Sequence, residues 1–377
     1  MGAREAAIAA DDRSTLRELA KRYAEVAALG AHAETVEDWK RLNGLRPRRP
    51  MIMIDQIPWH EMNIDDELTL RCGDPFLRGL EWKMRTALYQ WKRFPCDLPV
   101  PPYLEVPKAF SDSGIGISTK RSADDPLHVG AESHLFEDQI RDDAALARLR
   151  CPLVRFDAKE TAAREALVRD LVGDILPLRL SGVGIWAAIW DRIVFWRGAT
   201  PVLYDLADRP EFVHRLMRKL VDFEMKVLDQ YEAENLLDAE QRLVHCAGTH
   251  SYELPGEGYD PRHVNARNCW AAGAAQIFSE VSPAMHDEFE IQYLKPYYER
   301  FGLVNYGCCD PLHNKVGIIR KIRTIRAISV SPWADVRVAA EAMGPDYVMA
   351  RKPNPSFVAM DSFDARIVAE ETLATLR

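Results

Sequence analysis

The chain has 377 residues, of which 47% are hydrophobic, so it is long enough for one large domain or two ordinary ones. The formal net charge is −8 and the densest basic stretch is the short segment 46–50, which argues against a nucleic-acid partner. No run approaches the roughly 18 apolar residues of a membrane span, and the charged N-terminus is not typical of a signal peptide. We therefore expect a cytoplasmic protein that does not bind a membrane.

The N-terminal part of the sequence reads as mainly helical. Apolar residues recur at helical spacing between positions 12 and 42, and residues 77–94 predict a further helix, with a short β-like run at 51–54 between them. Five prolines between positions 95 and 107 indicate an extended connector. We place a domain boundary there, with a helical extension (1–100) and a second domain (101–377).

Beyond the connector, apolar strands alternate with amphipathic helices. The clearest strands are predicted at 274–278, 303–306, 326–330 and 347–350, and the helices that follow them at 284–300, 313–322, 334–343 and 364–376. Earlier strand candidates are 115–118, 176–183, 243–247 and one in the connector. About eight such strands predict an α/β fold, a (β/α)8 TIM barrel, with an open doubly wound sheet as the alternative.

In a TIM barrel the active site lies at the carboxyl ends of the strands. The predicted strand ends of this chain carry polar, thiol and charged residues. They read HCAGTH (245–250), FSEVSP (278–283), YGCCDPLH (306–313), SVSPWAD (329–335) and ARKPNP (350–355). In the last of them, Arg351 and Lys352 predict an anion site or, alternatively, a structural ion pair.

The adjacent cysteines Cys308 and Cys309 are the first candidate site. Neighbouring strand residues face opposite sides, so both sulfurs reach one ion only if the chain bends at the Asp-Pro that follows. Thiolates combined with histidine or carboxylate select zinc, and His245 and Glu280 at other strand ends are the candidate partners. Buried packing is the alternative for both cysteines, and strained geometry in a reducing compartment disfavours a disulfide between them.

Aromatic residues mark two further candidate sites. Trp59 and His60 would position a ring-bearing substrate or move a proton, with a docking loop anchored by the tryptophan as the alternative. Trp186, in the aromatic segment 181–198, would line a pocket for a planar ligand, although aromatic residues at helical spacing are also typical of a core. The P-loop, GxGxxG, GxSxG and HExxH motifs are absent from the sequence, which argues against nucleotide binding and serine-hydrolase chemistry.

The run AAQIFSEVSPAMHDEFEIQYLKPYYERFGLVNYGCCDPLHNKVGIIRKI resembles the uroporphyrinogen decarboxylase superfamily, in which an SP-x-x-[FY]-x-E-F helix and a Pro-Tyr stretch lead to the next strand end. In its cobamide-dependent methyltransferase branch, that end reads His-x-Cys-Gly. The zinc cysteine of the family thus corresponds to Cys308, and its histidine to Tyr306. The resemblance is good over residues 269–355. The family's second zinc cysteine has no counterpart here.

The resemblance implies a barrel enzyme that moves a methyl group between a small donor, such as a methoxylated aromatic, and the cobalt of a corrinoid (cobalamin) on a partner protein. Catalytic roles are expected for Glu280 and Cys308. The expected zinc ligands are His245, Glu280, Cys308 and Cys309. The expected substrate contacts are Trp59, His60, Trp186 and Tyr306. The alternatives are methyl transfer from a cobamide to a thiol, a metal-free lyase of the decarboxylase type, and a non-catalytic relative. The methyl donor, the direction of transfer and the oligomeric state, for which a homodimer is one option, are left open.

Overall fold

The computed structural model describes residues 10–121 and 135–376. These residues form two compact units. The first contains the chain up to Phe110 together with Phe156–Gly182 and Gly248–Tyr252, and the second contains Ser111–Arg155, Val183–Ala247 and the chain from Glu253 onward. No helix in these described ranges combines the length and the apolar character that a membrane span requires.

The helices and strands follow one another in a mixed order along the chain. The helices are α1 Ala10–Ala27, α2 Ala31–Asn43, α3 Pro75–Arg93, α4 Asp143–Arg148, α5 Ala158–Val172, α6 Ile189–Arg197, α7 Ala199–Asp208, α8 Pro210–Ala233, α9 Pro283–His286, α10 Gln292–Tyr298, α11 Val316–Ile319, α12 Val336–Met343 and α13 Ala365–Leu376. The strands are β1 Leu104–Pro107, β2 Phe110–Asp112, β3 Val154–Phe156, β4 Leu178–Ser181, β5 Ile185–Ala187, β6 Leu243–Val244, β7 Ala247–Gly248, β8 Trp270–Gly273, β9 Leu303–Tyr306, β10 Ile325–Val330 and β11 Val348–Arg351.

The first unit packs helices α1, α3 and α5 against the parallel strand pair β1 and β4. Helix α3 begins where the Asp74 carboxylate accepts hydrogen bonds from the backbone N–H groups of Phe76 and Leu77, which have no partner inside the helix. The apolar faces of these helices then bury one core, which includes Leu16, Leu80 and other aliphatic side chains. The predicted N-terminal helices are confirmed, whereas the β-like run 51–54 forms no strand.

The second unit is built on a five-stranded parallel sheet with the order β11-β10-β9-β8-β5. Because side chains alternate along a strand, the register separates two faces. Trp186 lies opposite Ala272, which lies opposite Asn305, and these three share one face. The next residue along β9, Tyr306, faces the other side of the sheet. That side packs against the larger core, to which α6, α8 and α10 also contribute side chains.

The prediction of an α/β chain with a parallel sheet and intervening helices is confirmed. Strand β9 has the predicted bounds, and β10, β11, α12 and α13 begin within two residues of theirs. The strand predicted at 274–278 is wrong because β8 ends at Gly273 and a 3-10 turn follows, and no strand forms at 115–118. Within residues 10–121 and 135–376, regular pairing does not close the sheet into a ring.

The turn after β9 gives a test of backbone strain. Gly307 has a φ of +96°, and a Cβ there would overlap the Leu312 side chain and lie 3.2 Å from the Ser329 Cβ. We expect Gly307→Ala to lower the free energy of unfolding by about 1–3 kcal/mol. Gly317→Ala is the matched control, because Gly317 is helical with open space around it, and it should be neutral or slightly stabilising. Thermal unfolding of both variants measures the difference, and equal midpoints would contradict it.

Candidate functional site

Each strand of the five-stranded sheet is followed by at least one polar or reactive side chain at its carboxyl end. These residues are Asp191 after β5, Gln276 after β8, Cys308, Cys309 and Asp310 after β9, Ser331 after β10 and Lys352 after β11. The carboxyl ends of parallel strands lie at one edge of a sheet, which is where α/β proteins bind their ligands. We call this group the carboxyl-edge cluster.

The backbone of the cysteine doublet, Cys308 and Cys309, is held from both sides. The Cys308 N–H donates to Asp310 Oδ1 at 3.0 Å, and the Cys308 carbonyl accepts from Lys352 Nζ at 2.9 Å. Lys352 also donates to Ser329 Oγ at 3.0 Å. The predicted bend is present at this turn, and the two sulfurs lie 3.6 Å apart although their residues are neighbours in sequence.

The two sulfurs of the doublet differ in exposure and in acidity. Cys308 is buried with 5% of its surface exposed, whereas Cys309 is exposed. A hydrogen bond from the Cys308 thiol is the main cause that lowers the pKa of Cys309 to about 6, and the Lys352 ammonium lowers it further against the opposing effects of burial and of Asp310. The same hydrogen bond, followed by burial, raises the pKa of Cys308. The directions of these pKa shifts, together with the greater exposure of Cys309, favour Cys309 as the thiolate and Cys308 as the thiol.

Two carboxyl groups belong to the same cluster. Asp191 accepts hydrogen bonds from the Gln276 backbone N–H at 3.0 Å and from Gln276 Nε2 at 2.8 Å. Burial is the main cause that raises the pKa of Asp191, and the negative charge of Asp310 raises it as well. Asp191 is thus a better proton donor near neutral pH than an exposed aspartic acid, and it lies on the strand end farthest from Lys352 in the sheet order.

Three buried polar atoms around β9 and β10 have no hydrogen-bond partner in the described part of the chain. Asn305 Oδ1, Asp310 Oδ2 and Ser331 Oγ belong to residues with no exposed surface, and they find no hydrogen-bond partner within the described chain. An unpaired buried polar group costs about 1–3 kcal/mol, so three of them in one region call for partners supplied from outside the protein.

The structure brings two of the predicted site residues together. The rings of Trp186 and His245 pack against each other at an interplanar angle of 33° with centroids 4.0 Å apart, on the sheet face that carries Asn305. The Asn305 side-chain N–H donates to the His245 carbonyl at 2.9 Å, which fixes the backbone beneath the ring. Trp186 keeps 37% of its surface exposed, so part of its ring remains available to a planar ligand.

Tyr306 lies in the core on the opposite face. A π-helical turn, Asp287–Ile291, connects α9 to α10 and buries Glu290 completely. The Glu290 carboxylate accepts hydrogen bonds from the hydroxyls of Tyr306 at 3.0 Å and of Tyr298 at 3.3 Å. Burial raises the pKa of both tyrosines, which keeps them protonated as donors. Tyr306 is therefore enclosed by protein, where the resemblance implied a substrate contact.

The remaining predicted residues lie elsewhere. Glu280 is exposed and follows a 3-10 turn, so its predicted alternation along a strand does not hold. Trp59 and His60 belong to the first unit, where Trp59 packs edge-on against Trp82 with centroids 5.7 Å apart and His60 is exposed. The contacts of Trp59 match the alternative of an anchored loop.

The doublet supplies only part of a zinc site. A tetrahedral zinc with Zn–S bonds of about 2.3 Å places two sulfurs about 3.8 Å apart, close to the 3.6 Å between Cys308 and Cys309. In the described ranges, however, no three His, Cys, Asp or Glu side chains are grouped so that they could hold a metal. The residues present do not complete the site, and zinc with His245 and Glu280 as ligands stays a prediction.

Sequence reasoning missed Asp191, Asn305 and Ser331. Asp191 lies four residues beyond the end of β5. This strand lies inside the aromatic segment 181–198, whose helical spacing does not predict a strand. The strand-end rule that identified Cys308 could not reach Asp191, because no strand is predicted at 185–187, whereas Ser331 lies within the predicted strand end 329–335.

The acidity of Cys309 predicts the pH dependence of its reactivity. At about pH 6, half of the Cys309 side chains are ionised. Of a thiol with a pKa of 9.0, only roughly one thousandth is ionised at that pH. Weaker nucleophilicity at lower pKa reduces this advantage to roughly twentyfold in the rate with a small disulfide reagent. The rate should fall below about pH 6 as Cys309 is protonated. Cys309→Ser should remove the fast phase, whereas Cys151→Ser, which removes a half-buried thiol whose pKa is raised by burial, should keep it. A fast phase with a midpoint above pH 8 would contradict the assignment.

The contribution of Lys352 to that acidity can be measured separately. Lys352→Met removes the ammonium that stabilises the thiolate, so the pH midpoint of the fast phase should move upward. Lys352→Arg keeps the charge and should keep most of the effect. Stopped-flow profiles of the two variants decide this, and coincident profiles would show that the positive charge at position 352 does not set the acidity of Cys309.

Comparison of the chain with protein-family models, with curated proteins and with solved structures finds no match in any of the three. The resemblance to the uroporphyrinogen decarboxylase superfamily accordingly stays a prediction from the motifs around Cys308. The carboxyl-edge cluster, with its thiolate, buried carboxyl group and ammonium, is the basis for assigning a function to this chain.

Proposed function

We propose that the chain is a methyltransferase in which Cys309 accepts the methyl group of a small donor and passes it to the cobalt of a corrinoid carried by a partner protein. We propose with it that the parallel sheet is part of a (β/α)8 barrel. The observation that supports the function is the accessible Cys309 sulfur at the carboxyl edge of the sheet, where the charges of Lys352 and Asp191 both act on it.

In the first step the Cys309 thiolate attacks the methyl carbon of a methoxy group. A carbon–sulfur bond forms, the carbon–oxygen bond breaks, and its electron pair stays on the departing oxygen. Asp191 donates its proton to that oxygen, which yields a neutral alcohol or phenol and leaves the aspartate charged. The raised pKa of Asp191 suits this role, because the acid must be protonated when the donor binds.

In the second step the carbon–sulfur bond of S-methylcysteine would break, its electron pair would return to sulfur as the Cys309 thiolate, and the methyl carbon would bond to the acceptor. The reduced corrinoid acts as the second substrate and supplies the methyl acceptor. Lys352 and the Cys308 thiol stabilise the returning negative charge on sulfur in the same way as in the resting site. Neither step requires zinc, for which the described residues 10–121 and 135–376 supply no complete ligand set.

The packed pair of Trp186 and His245 favours an aromatic donor. A planar ring would lie against the exposed part of the Trp186 indole, and aromatic pairs of this kind gain about 0.5–1.5 kcal/mol beyond the area that they bury. The unpaired oxygens of Asn305 and Ser331 offer hydrogen-bond acceptors to hydroxyl substituents on the ring.

A metal-free lyase of the decarboxylase type is the second candidate. It is favoured by two carboxyl groups of the carboxyl-edge cluster: Asp191, whose pKa is raised, would supply a proton to the substrate, and the buried Asp310 would stabilise the cationic intermediate that results. The two candidates differ in their need for sulfur. A lyase loses activity in Asp191→Asn and keeps it in Cys309→Ser, whereas the methyltransferase requires Cys309.

The methyl transfer can be followed on the protein itself. With methyl-labelled guaiacol, or in reverse with methylcobalamin, we expect one labelled methyl group on the tryptic peptide 301–315, which carries both cysteines of the doublet. Cys309→Ser should show no label and Cys151→Ser full label. Asp191→Asn should slow labelling by guaiacol roughly 10²–10⁴-fold, but not labelling by methylcobalamin, whose leaving group needs no proton. Label that persists in Cys309→Ser would exclude the relay.

A further inference from the structure

We propose that Cys309 is also the site at which hydroperoxides oxidise this chain, and that Cys308 is the resolving thiol that closes a disulfide between the two neighbours. This reaction goes beyond methyl transfer and does not depend on it, because it needs only the doublet and an oxidant.

The geometry of the doublet supports the reaction. The sulfurs already lie 3.6 Å apart, and a disulfide brings them to about 2.05 Å. The Cys308 backbone is fixed by hydrogen bonds from Lys352 and to Asp310, whereas Cys309 is exposed. Because the two residues are neighbours, closing the bond also strains the peptide between them, which makes the disulfide easy to reduce, and the exposed Cys309 side chain supplies the rest of the movement.

The position of each sulfur assigns its role. The exposed Cys309 sulfur can meet a hydroperoxide from solvent, whereas the buried Cys308 sulfur meets only its neighbour. Cys72 and Cys269 are buried, with 0% and 1% of their surface exposed, so a dissolved oxidant reaches neither of them directly. Cys96, Cys151 and Cys246 are partly exposed, so what distinguishes Cys309 is its exposure together with a second thiol 3.6 Å away.

The chemistry balances with hydroperoxide as the only co-reactant. The Cys309 sulfur attacks the outer peroxide oxygen, the O–O bond breaks, and one alcohol (or water) leaves as Cys309 becomes a sulfenic acid. The Cys308 thiol then attacks the Cys309 sulfur, the S–O bond breaks, and water leaves as the disulfide forms. Two thiols are oxidised and one hydroperoxide is reduced. The product has no thiolate, so it cannot accept a methyl group until a reductant restores it.

The test uses the full reduced chain with equimolar hydrogen peroxide at neutral pH, followed by alkylation and peptide mass mapping. We expect peptide 301–315 to lose two hydrogen atoms, to resist alkylation and to recover with dithiothreitol. Cys308→Ser should stop at the sulfenic acid, which dimedone captures on Cys309. Cys309→Ser should lose at least 90% of the oxidation of this peptide, and Cys151→Ser should behave as wild type.

The outcomes distinguish this inference from the proposed function. Loss of two hydrogens and gain of a methyl group are separate mass changes, so either reaction can fail while the other is seen. The inference is overturned if the wild-type peptide 301–315 remains fully alkylated, or if the disulfide maps to another pair of cysteines. The wild-type map alone decides this if Cys308→Ser fails to fold.

Discussion

Two hydrogen bonds on the Cys308 backbone determine the chemistry of the second unit. Lys352 donates to the Cys308 carbonyl from the end of β11, and Asp310 accepts from the Cys308 N–H within the same turn. Neighbouring residues in a strand would direct their side chains to opposite faces, and this turn brings both sulfurs together instead. The parallel sheet matters here because it places the ends of β9, β10 and β11 at one edge, within reach of a single lysine side chain.

The acidity of Cys309 and the burial of Cys308 are two results of one arrangement. A thiol that is shielded from water stays protonated and donates a hydrogen bond to the exposed sulfur. The exposed sulfur then ionises more readily. Asp310 has opposing effects at this site, since it anchors the turn and also raises the pKa of Cys309. The lysine offsets that charge. The site thus places one cation, Lys352, among the Cys309 sulfur and two carboxyl groups, and burial raises the pKa of one of these, Asp191.

The sequence predicted those elements whose apolar pattern is bounded by turn residues. Strand β9 was placed correctly because the Gly-Cys-Cys-Asp-Pro segment ends it sharply, and α3 because its apolar residues recur at helical spacing. Strand β8 was placed too late. Its segment, residues 270–278, is apolar almost throughout, and only the packing of Tyr298 against Gly273 shows where the chain leaves the sheet. Periodicity cannot detect such a contact. The same limit hid Asp191 and the pairing of Trp186 with His245, both of which depend on long-range register.

The π-helical turn at Asp287–Ile291 has a consequence for how this helix aligns with the sheet. One extra residue in a turn advances the following residues by about 100° around the axis relative to an uninterrupted α-helix. Three consecutive residues, Phe289 to Ile291, are buried there, which a regular helix at the surface of a sheet does not achieve. Helices α9 and α10, on either side of this turn, therefore direct their buried faces at different angles around the helix axis. A chain one residue shorter at this point would direct Glu290 away from Tyr306 and leave two phenol hydroxyls in the core without their carboxylate acceptor.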